Sequence, residues 1–153
     1  MALMTVYHGG YQAVEKPEIR VNKNTKDFGT GFYCTIIKEQ AQRWARRYNT
    51  KIVSIYDVKI LSGLKVLEFK EMTEEWLDFI LNCRSGKDAT DYDLVVGGVA
   101  NDKVFNTVEL FFDGLIDKAE AIKRLRYEKP NVQICFRTER ALSLLHFEGS
   151  EIV

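Results

Sequence analysis

Three short pieces of the chain carry residue types suited to gripping a ligand. They are Tyr7-His8-Gly9-Gly10 near the start, Gly29-Thr30-Gly31-Phe32-Tyr33 with Trp44 soon after, and Gln133 within Asn131–Phe136. Glycine lets the backbone approach a ligand where a Cβ would clash. Aromatics placed just beyond can wall a flat ring. His8 and Gln133 offer hydrogen bonds, and an amide both donates and accepts. Gln133 carries no charge and cannot serve as a general base. The chemistry on offer is the holding of a flat ring and the orientation of hydroxyl groups.

Taken together these pieces resemble the ADP-ribosyltransferase superfamily, on its diphtheria-toxin and poly(ADP-ribose) polymerase side. That branch has His-Gly at the end of its first strand, then a Gly-x-Gly-aliphatic-Tyr run, a helix with a second aromatic, and a late strand with a carboxylate. Gly29-Thr30-Gly31-Phe32-Tyr33 matches the glycine run, and Trp44 falls without a gap where the second aromatic stands. A closer resemblance is to a small bacterial family, the domain of unknown function 3990. It runs through Asp27-Phe28-Gly29, Gly31-Phe32-Tyr33, Gln40-Ala41, Trp44-Ala45, Tyr92-Asp93, Ala100-Asn101-Asp102-Lys103, Gln133 and the Thr138–Leu145 helix.

The resemblance implies an NAD site and loss of nicotinamide through an oxocarbenium-like centre. Tyr33 and Trp44 would flank the nicotinamide, with Gly31 and Phe32 in the same wall. Gly9 would hold its carboxamide through the backbone, and His8 would bind the adenosine ribose. Gln133 would bind the nicotinamide ribose and stabilise charge in the transition state. Arg20, with Lys23 and Lys26, would approach the pyrophosphate. Catalysis is thus expected at His8, Tyr33 and Gln133. The chain departs from the superfamily in having glutamine for the carboxylate, which counts against chain elongation and leaves single transfer. Asp102 and Glu139 are the carboxylates considered as substitutes. Gln133→Glu is expected to raise NAD turnover if the pocket is catalytic.

Plainer roles exist for each residue. His8 could be a satisfied strand histidine, Tyr33 one more strand aromatic, Trp44 a core residue and Gln133 a partner for backbone groups. Asp27 could cap a turn, and Arg43, Arg46 and Arg47 form a solvated helix face. Other chemistries lack support. His8 and His146 are the only histidines and have no second-ligand spacing nearby, so no metal is expected. Tyr92–Gly98 lacks the Lys-Ser/Thr of a phosphate loop. No nucleophile elbow is present for a serine triad.

The elements that must position these residues follow from pattern. Strands are expected at 3–8, 51–58, 64–69, 92–96 and 131–136, where β-branched and aromatic residues concentrate. A helix is expected over 38–48, with Ile37, Ala41, Trp44, Ala45 and Tyr48 as one buried stripe. Thr73, with Glu74 and Glu75 behind it, starts another that Gly86 stops. Asn101 or Asp102 caps a third, with a stripe from Val104 to Leu115. Asp117 with Glu120 opens a fourth, reaching about Tyr127. Thr138 caps a last short helix, and 146–153 adds an edge strand. Residues 11–27 read as a loop. Strands and helices mix without regular alternation, so the class is α+β.

At 153 residues, one domain is expected over 1–153. With 22 basic and 22 acidic residues the net charge is zero, so no global field favours nucleic acid or an anionic membrane. Cys34, Cys83 and Cys135 are widely spaced and expected to be buried free thiols of a reducing cytosol. Neither a signal peptide nor an apolar run of membrane-spanning length is visible. The resemblance implies an ADP-ribosyltransferase-like fold, two packed, mainly antiparallel sheets with flanking helices forming an NAD cleft. It implies a cytoplasmic mono-ADP-ribosyltransferase, acting on a protein or nucleic acid as a toxin or conflict-system effector, with a small antitoxin as partner. The alternatives are an NAD-binding module with little turnover and an NAD glycohydrolase.

Overall fold

The computed structural model describes residues 3–19, 27–59, 63–86, 91–98, 102–125 and 131–153. Arg20, Lys23, Lys26 and Asn101 lie outside these, as do the side chains of 102–105, Asp102 among them. The described residues form a mixed α+β structure of two sheets and five helices.

The first sheet, sheet A, has the order β1 (Leu3–Gly10), β3 (Ile52–Lys59), β7 (Leu145–Ile152), all antiparallel. The second, sheet B, has the order β2 (Phe32–Cys34), β6 (Gln133–Phe136), β5 (Leu94–Gly97), β4 (Val66–Glu68), antiparallel except for the β4–β5 pair. Where β1 meets β2, one bridge joins the sheets: Tyr7 and Thr35 exchange both backbone hydrogen bonds, at 2.8 and 2.9 Å.

Alternation along β2 and β6 divides the core. Phe32, Cys34, Ile134 and Phe136 face sheet A and pack on Val6, Tyr56 and Val58. On the other face, Cys135 and Val95 meet Trp76, Leu77 and Ile80 of α2 (Glu74–Arg84), Val108 of α3 (Asp102–Phe112) and Ala121 of α4 (Lys118–Leu125). Trp76 is fully buried, and Trp76→Ala is expected to cost about 3–5 kcal/mol. The helix α1 (Lys38–Ala45) lies on sheet A, with Ala41 and Ala45 against Val53.

The caps are local. The Thr73 hydroxyl accepts from Trp76 N, Asp117 Oδ1 accepts from Glu120 N, and Thr138 accepts from Ala141 N at the start of α5 (Glu139–Leu142). Gly86 ends α2 with φ +79°, a conformation that suits glycine. Three expectations need correction. The last helix ends at Leu142, and Leu145 opens β7. The α1 stripe ends early: the helix stops at Ala45, Trp44 is only half-buried and Tyr48 is exposed against Tyr11. Leu115 lies beyond α3 and is exposed, because the chain turns at Gly114 with φ +75°. All three cysteines are free and buried. Among the described residues no helix is long and apolar enough to cross a membrane.

Candidate functional site

From the Tyr7–Thr35 bridge, β1 runs on through His8 and Gly9, and β2 lies back along Tyr33 and Phe32. Continuing the antiparallel register by two residues puts Gly9 across from Tyr33. Tyr7 points both backbone groups at Thr35, away from β3. Backbone groups two residues apart on a strand point to the same side, so the Gly9 N–H and C=O also face β2. Among the described residues no group bonds to either. The edge of β1 therefore presents one donor and one acceptor side by side, opposite Tyr33.

His8 spans this gap. Its Nδ1 lies 2.7 Å from the Tyr33 carbonyl oxygen. A carbonyl only accepts, so Nδ1 carries the proton and donates. The ring also stacks on Phe32, with centroids 4.3 Å apart. The Tyr33 hydroxyl donates to Gly29 O at 2.6 Å and accepts from Phe28 N at 3.1 Å, bracing the turn before β2. Burial, with Cys135 alongside, holds its phenol far above the ordinary range. The Tyr33 hydroxyl thus keeps its proton, and its ring packs on the helix-side core.

The glycines at this site make room chiefly for protein. A Cβ on Gly9 would stand 2.0 Å from Ala41 O of α1, and one on Gly31 would stand 2.4 Å from Cys135 Sγ. Close approach is required at both, as their spacing implied, and what approaches is backbone of α1 and a side chain of β6.

Gln133 opens β6 on the same face of sheet B as Tyr33 and Cys135, and it is buried. Its Nε2 donates to Gly98 O at 3.2 Å and to Asp27 Oδ2 at 3.3 Å. Asp27 is held in turn by Arg84 of α2, whose Nη1 also reaches Glu109 of α3. Beside Gln133, Gln40 of α1 donates to Val132 O at 3.1 Å, and its buried Oε1 has no partner among the described residues.

Of the residues singled out in the sequence, His8 lies against Phe32 and the Tyr33 carbonyl, next to Gly9, while the Tyr33 ring and Gln133 stand on the opposite face of sheet B, toward the helices. Trp44 makes no ring contact with Tyr33 among the described residues; it sits one turn beyond Gln40 on α1. Glu139 is not near Gln133. It follows the opposite end of β6, which sets the two apart by about 10 Å at least. The carboxylate at Gln133 is Asp27, which the sequence placed in the Asp27-Phe28-Gly29 motif with no role beyond a turn cap. Its partner Arg84 had no signal, since a side-chain contact across 57 residues leaves no local pattern.

A cavity of about 890 Å³ runs from Met4 and Val58 of sheet A past Leu94, Val96 and Phe136 of sheet B to Gly98 and Val132, which adjoin Gln133. None of His8, Tyr33, Trp44 or Gln133 lines it. Its wall is mostly apolar, with Glu68, Lys70, Glu71 and Glu74 along one side, and size alone does not make it the reactive site.

A family model described as protein of unknown function (DUF3990) matches residues 4–147. No curated protein and no solved structure matches.

Proposed function

The chain belongs to the DUF3990 family, and from that premise we propose that it is a mono-ADP-ribosyltransferase, one transferase-like domain that uses NAD. The observation that carries this reading is the open edge of β1. The Gly9 N–H and C=O suit the C=O and NH2 of a nicotinamide carboxamide, and continuing the register sets the Tyr33 backbone across from them. His8, fixed by Tyr33 O, would orient the adenosine ribose. Phe32 backs His8 from the sheet A side, Gly31 lets Cys135 approach, and Trp44 with Gln40 stands on the α1 side. Arg20 is the proposed pyrophosphate contact.

The bond that breaks joins C1′ of the ribose to the nicotinamide nitrogen. Its electron pair leaves with nicotinamide, and the ribose acquires oxocarbenium character. Gln133 accepts a hydrogen bond from a ribose hydroxyl and holds the sugar at the angle that cleavage needs. A nucleophile on a protein or nucleic acid then bonds to C1′ and releases its proton to solvent. Gln133 cannot take that proton, so the acceptor supplies its own nucleophilicity and one ADP-ribose is added. The biological setting proposed is a bacterial cytoplasmic toxin or conflict effector, held in check by a small antitoxin protein.

One observation favours a second reading. The carboxylate at Gln133 is already bound to Arg84, which suits a module that holds NAD with little turnover; water as acceptor would make it an NAD glycohydrolase.

The test incubates the protein and its His8→Ala variant with adenine-labelled NAD and a cell lysate. Label in the macromolecular fraction, lost in a variant that melts normally, supports the transferase. Label only in free ADP-ribose indicates the glycohydrolase. NAD binding with no nicotinamide release leaves the binding module.

A further inference from the structure

The Gln133 amide has a defined orientation. Its two nearest neighbours, Asp27 Oδ2 at 3.3 Å and Gly98 O at 3.2 Å, only accept hydrogen bonds. Nε2 must therefore face both, and Oε1 must face away. No donor reaches Oε1 among the described residues, and the residue keeps 5% of its surface exposed. Asp27 is itself immobilised. Arg84 Nε and Nη2 grip Oδ1 at 3.0 and 2.6 Å, and Arg84 Nη1 reaches Glu109 Oε1 at 3.0 Å. The Asp27 and Arg84 side chains are each 12% exposed, so this pair is well shielded from solvent.

We propose that Asp27, clamped by Arg84, is a positioning residue that locks Gln133 with its amide oxygen outward, and that this is why an amide stands where a carboxylate was expected. The lock rests on the ribose-binding role given to Gln133 above. An amide meets two acceptors with two N–H bonds. A carboxylate at the same place would set acceptor against acceptor and charge against charge. The groups facing it are Asp27 from the turn before β2, Arg84 from α2 and Glu109 from α3, with Tyr33 and Cys135 on the sheet itself. Two anions and one cation surround the position, so an introduced carboxyl keeps its proton above the usual range near pH 4.3. The expectation that Gln133→Glu raises turnover is therefore reversed.

The experiment compares Gln133→Glu, Asp27→Asn and the double variant in the full chain. Each is melted at pH 5 and pH 8, and nicotinamide release is resolved into kcat and KM. An acid whose pKa is raised by folding destabilises the fold as pH climbs above its unfolded value. Gln133→Glu is expected to melt near the wild type at pH 5, where its protonated carboxyl still donates one bond, and at least 5 °C lower at pH 8. The double variant is expected to close most of that gap. Asp27→Asn keeps its oxygen on Arg84 and turns its NH2 toward Gln133, so the amide rotates; kcat is expected to fall about tenfold with KM within about twofold. A melting gap independent of pH, a gap that the double variant leaves open, or failure of Gln133→Glu to fold at pH 5 overturns the lock. So does an Asp27→Asn enzyme with unchanged kcat while Gln133→Ala is inactive. If the wild type releases no nicotinamide, the transferase reading falls, and the melting curves alone decide the lock.

Discussion

Two aspartates stand at opposite ends of the β5–β6 pair and do different work. Asp93 precedes β5 and is enclosed by donors. Its Oδ1 accepts from the Thr138 hydroxyl at 2.7 Å, and its Oδ2 accepts from Lys65 N at 2.9 Å and Arg140 Nη2 at 2.7 Å. Burial pushes the Asp93 carboxyl up, and these donors more than offset it, bringing the pKa from 3.8 down to about 2. Asp27 also has a cation and an N–H donor, yet its N–H comes from a side chain that still has an acceptor to offer. The Asp93 cluster is closed and ties Lys65, β5 and α5 together. The Asp27 cluster is open at one atom, Gln133 Oε1. A buried polar group whose capacity is used up speaks for stability, and one with capacity left over speaks for a ligand.

The sharpest way to break the contrast is at the two centres. Asp93→Ala leaves three donors facing a void, and a loss of about 3 kcal/mol is expected in urea unfolding, with nicotinamide release per folded molecule unchanged. Gln133→Ala is expected to do the reverse, lowering kcat for nicotinamide release about 100-fold and stability by about 1 kcal/mol. If the two variants gave the same pattern, the contrast would be wrong.

Between these lies Gly9→Ala. The added methyl meets Ala41 O, so α1 must shift away from β1, at about 2 kcal/mol. NAD affinity should fall with it, because α1 carries Gln40 and Trp44; calorimetric titration at matched folded fraction reads this out.

Acid gives a smaller effect. Because the Asp93 pKa is lower folded than unfolded, its share of stability is present above pH 4 and disappears as pH falls toward 2. Urea midpoints across that range should drop in the wild type and drop less steeply in Asp93→Asn.

The smallest change expected is Arg140→Ala, below about 1 kcal/mol, since the Arg140 side chain is 64% exposed and its ion pair is screened.

What the chain disclosed in advance follows the range of each interaction. Caps at Thr73, Asp117 and Thr138 were legible because a side chain and a backbone N–H three residues apart signal each other locally. β3 was legible from Ile-Val-Ser-Ile-Tyr-Asp-Val. The three-residue β2 was not among the expected strands, although Tyr33 was weighed as a strand aromatic; it is held by β6 and by the Tyr7–Thr35 bridge, partners far away in sequence. The site divides in the same way. His8-Gly9 and the Gly29–Tyr33 run could be read as motifs. The Asp27–Gln133 contact joins residues 106 positions apart, and no spacing announces it. Trp44 shows the limit of periodicity: its helix ended one residue later, so there was no further turn to bury it against.

The Tyr7–Thr35 pair gives the molecule a clock. Among the described residues only these two peptides bridge the facing edges of β1 and β2. Any parting of the edges stretches both bonds at once. Deuterium uptake at the Tyr7 and Thr35 amides would time that parting, and under the proposed NAD reading a ligand held by Gly9 would slow both amides together.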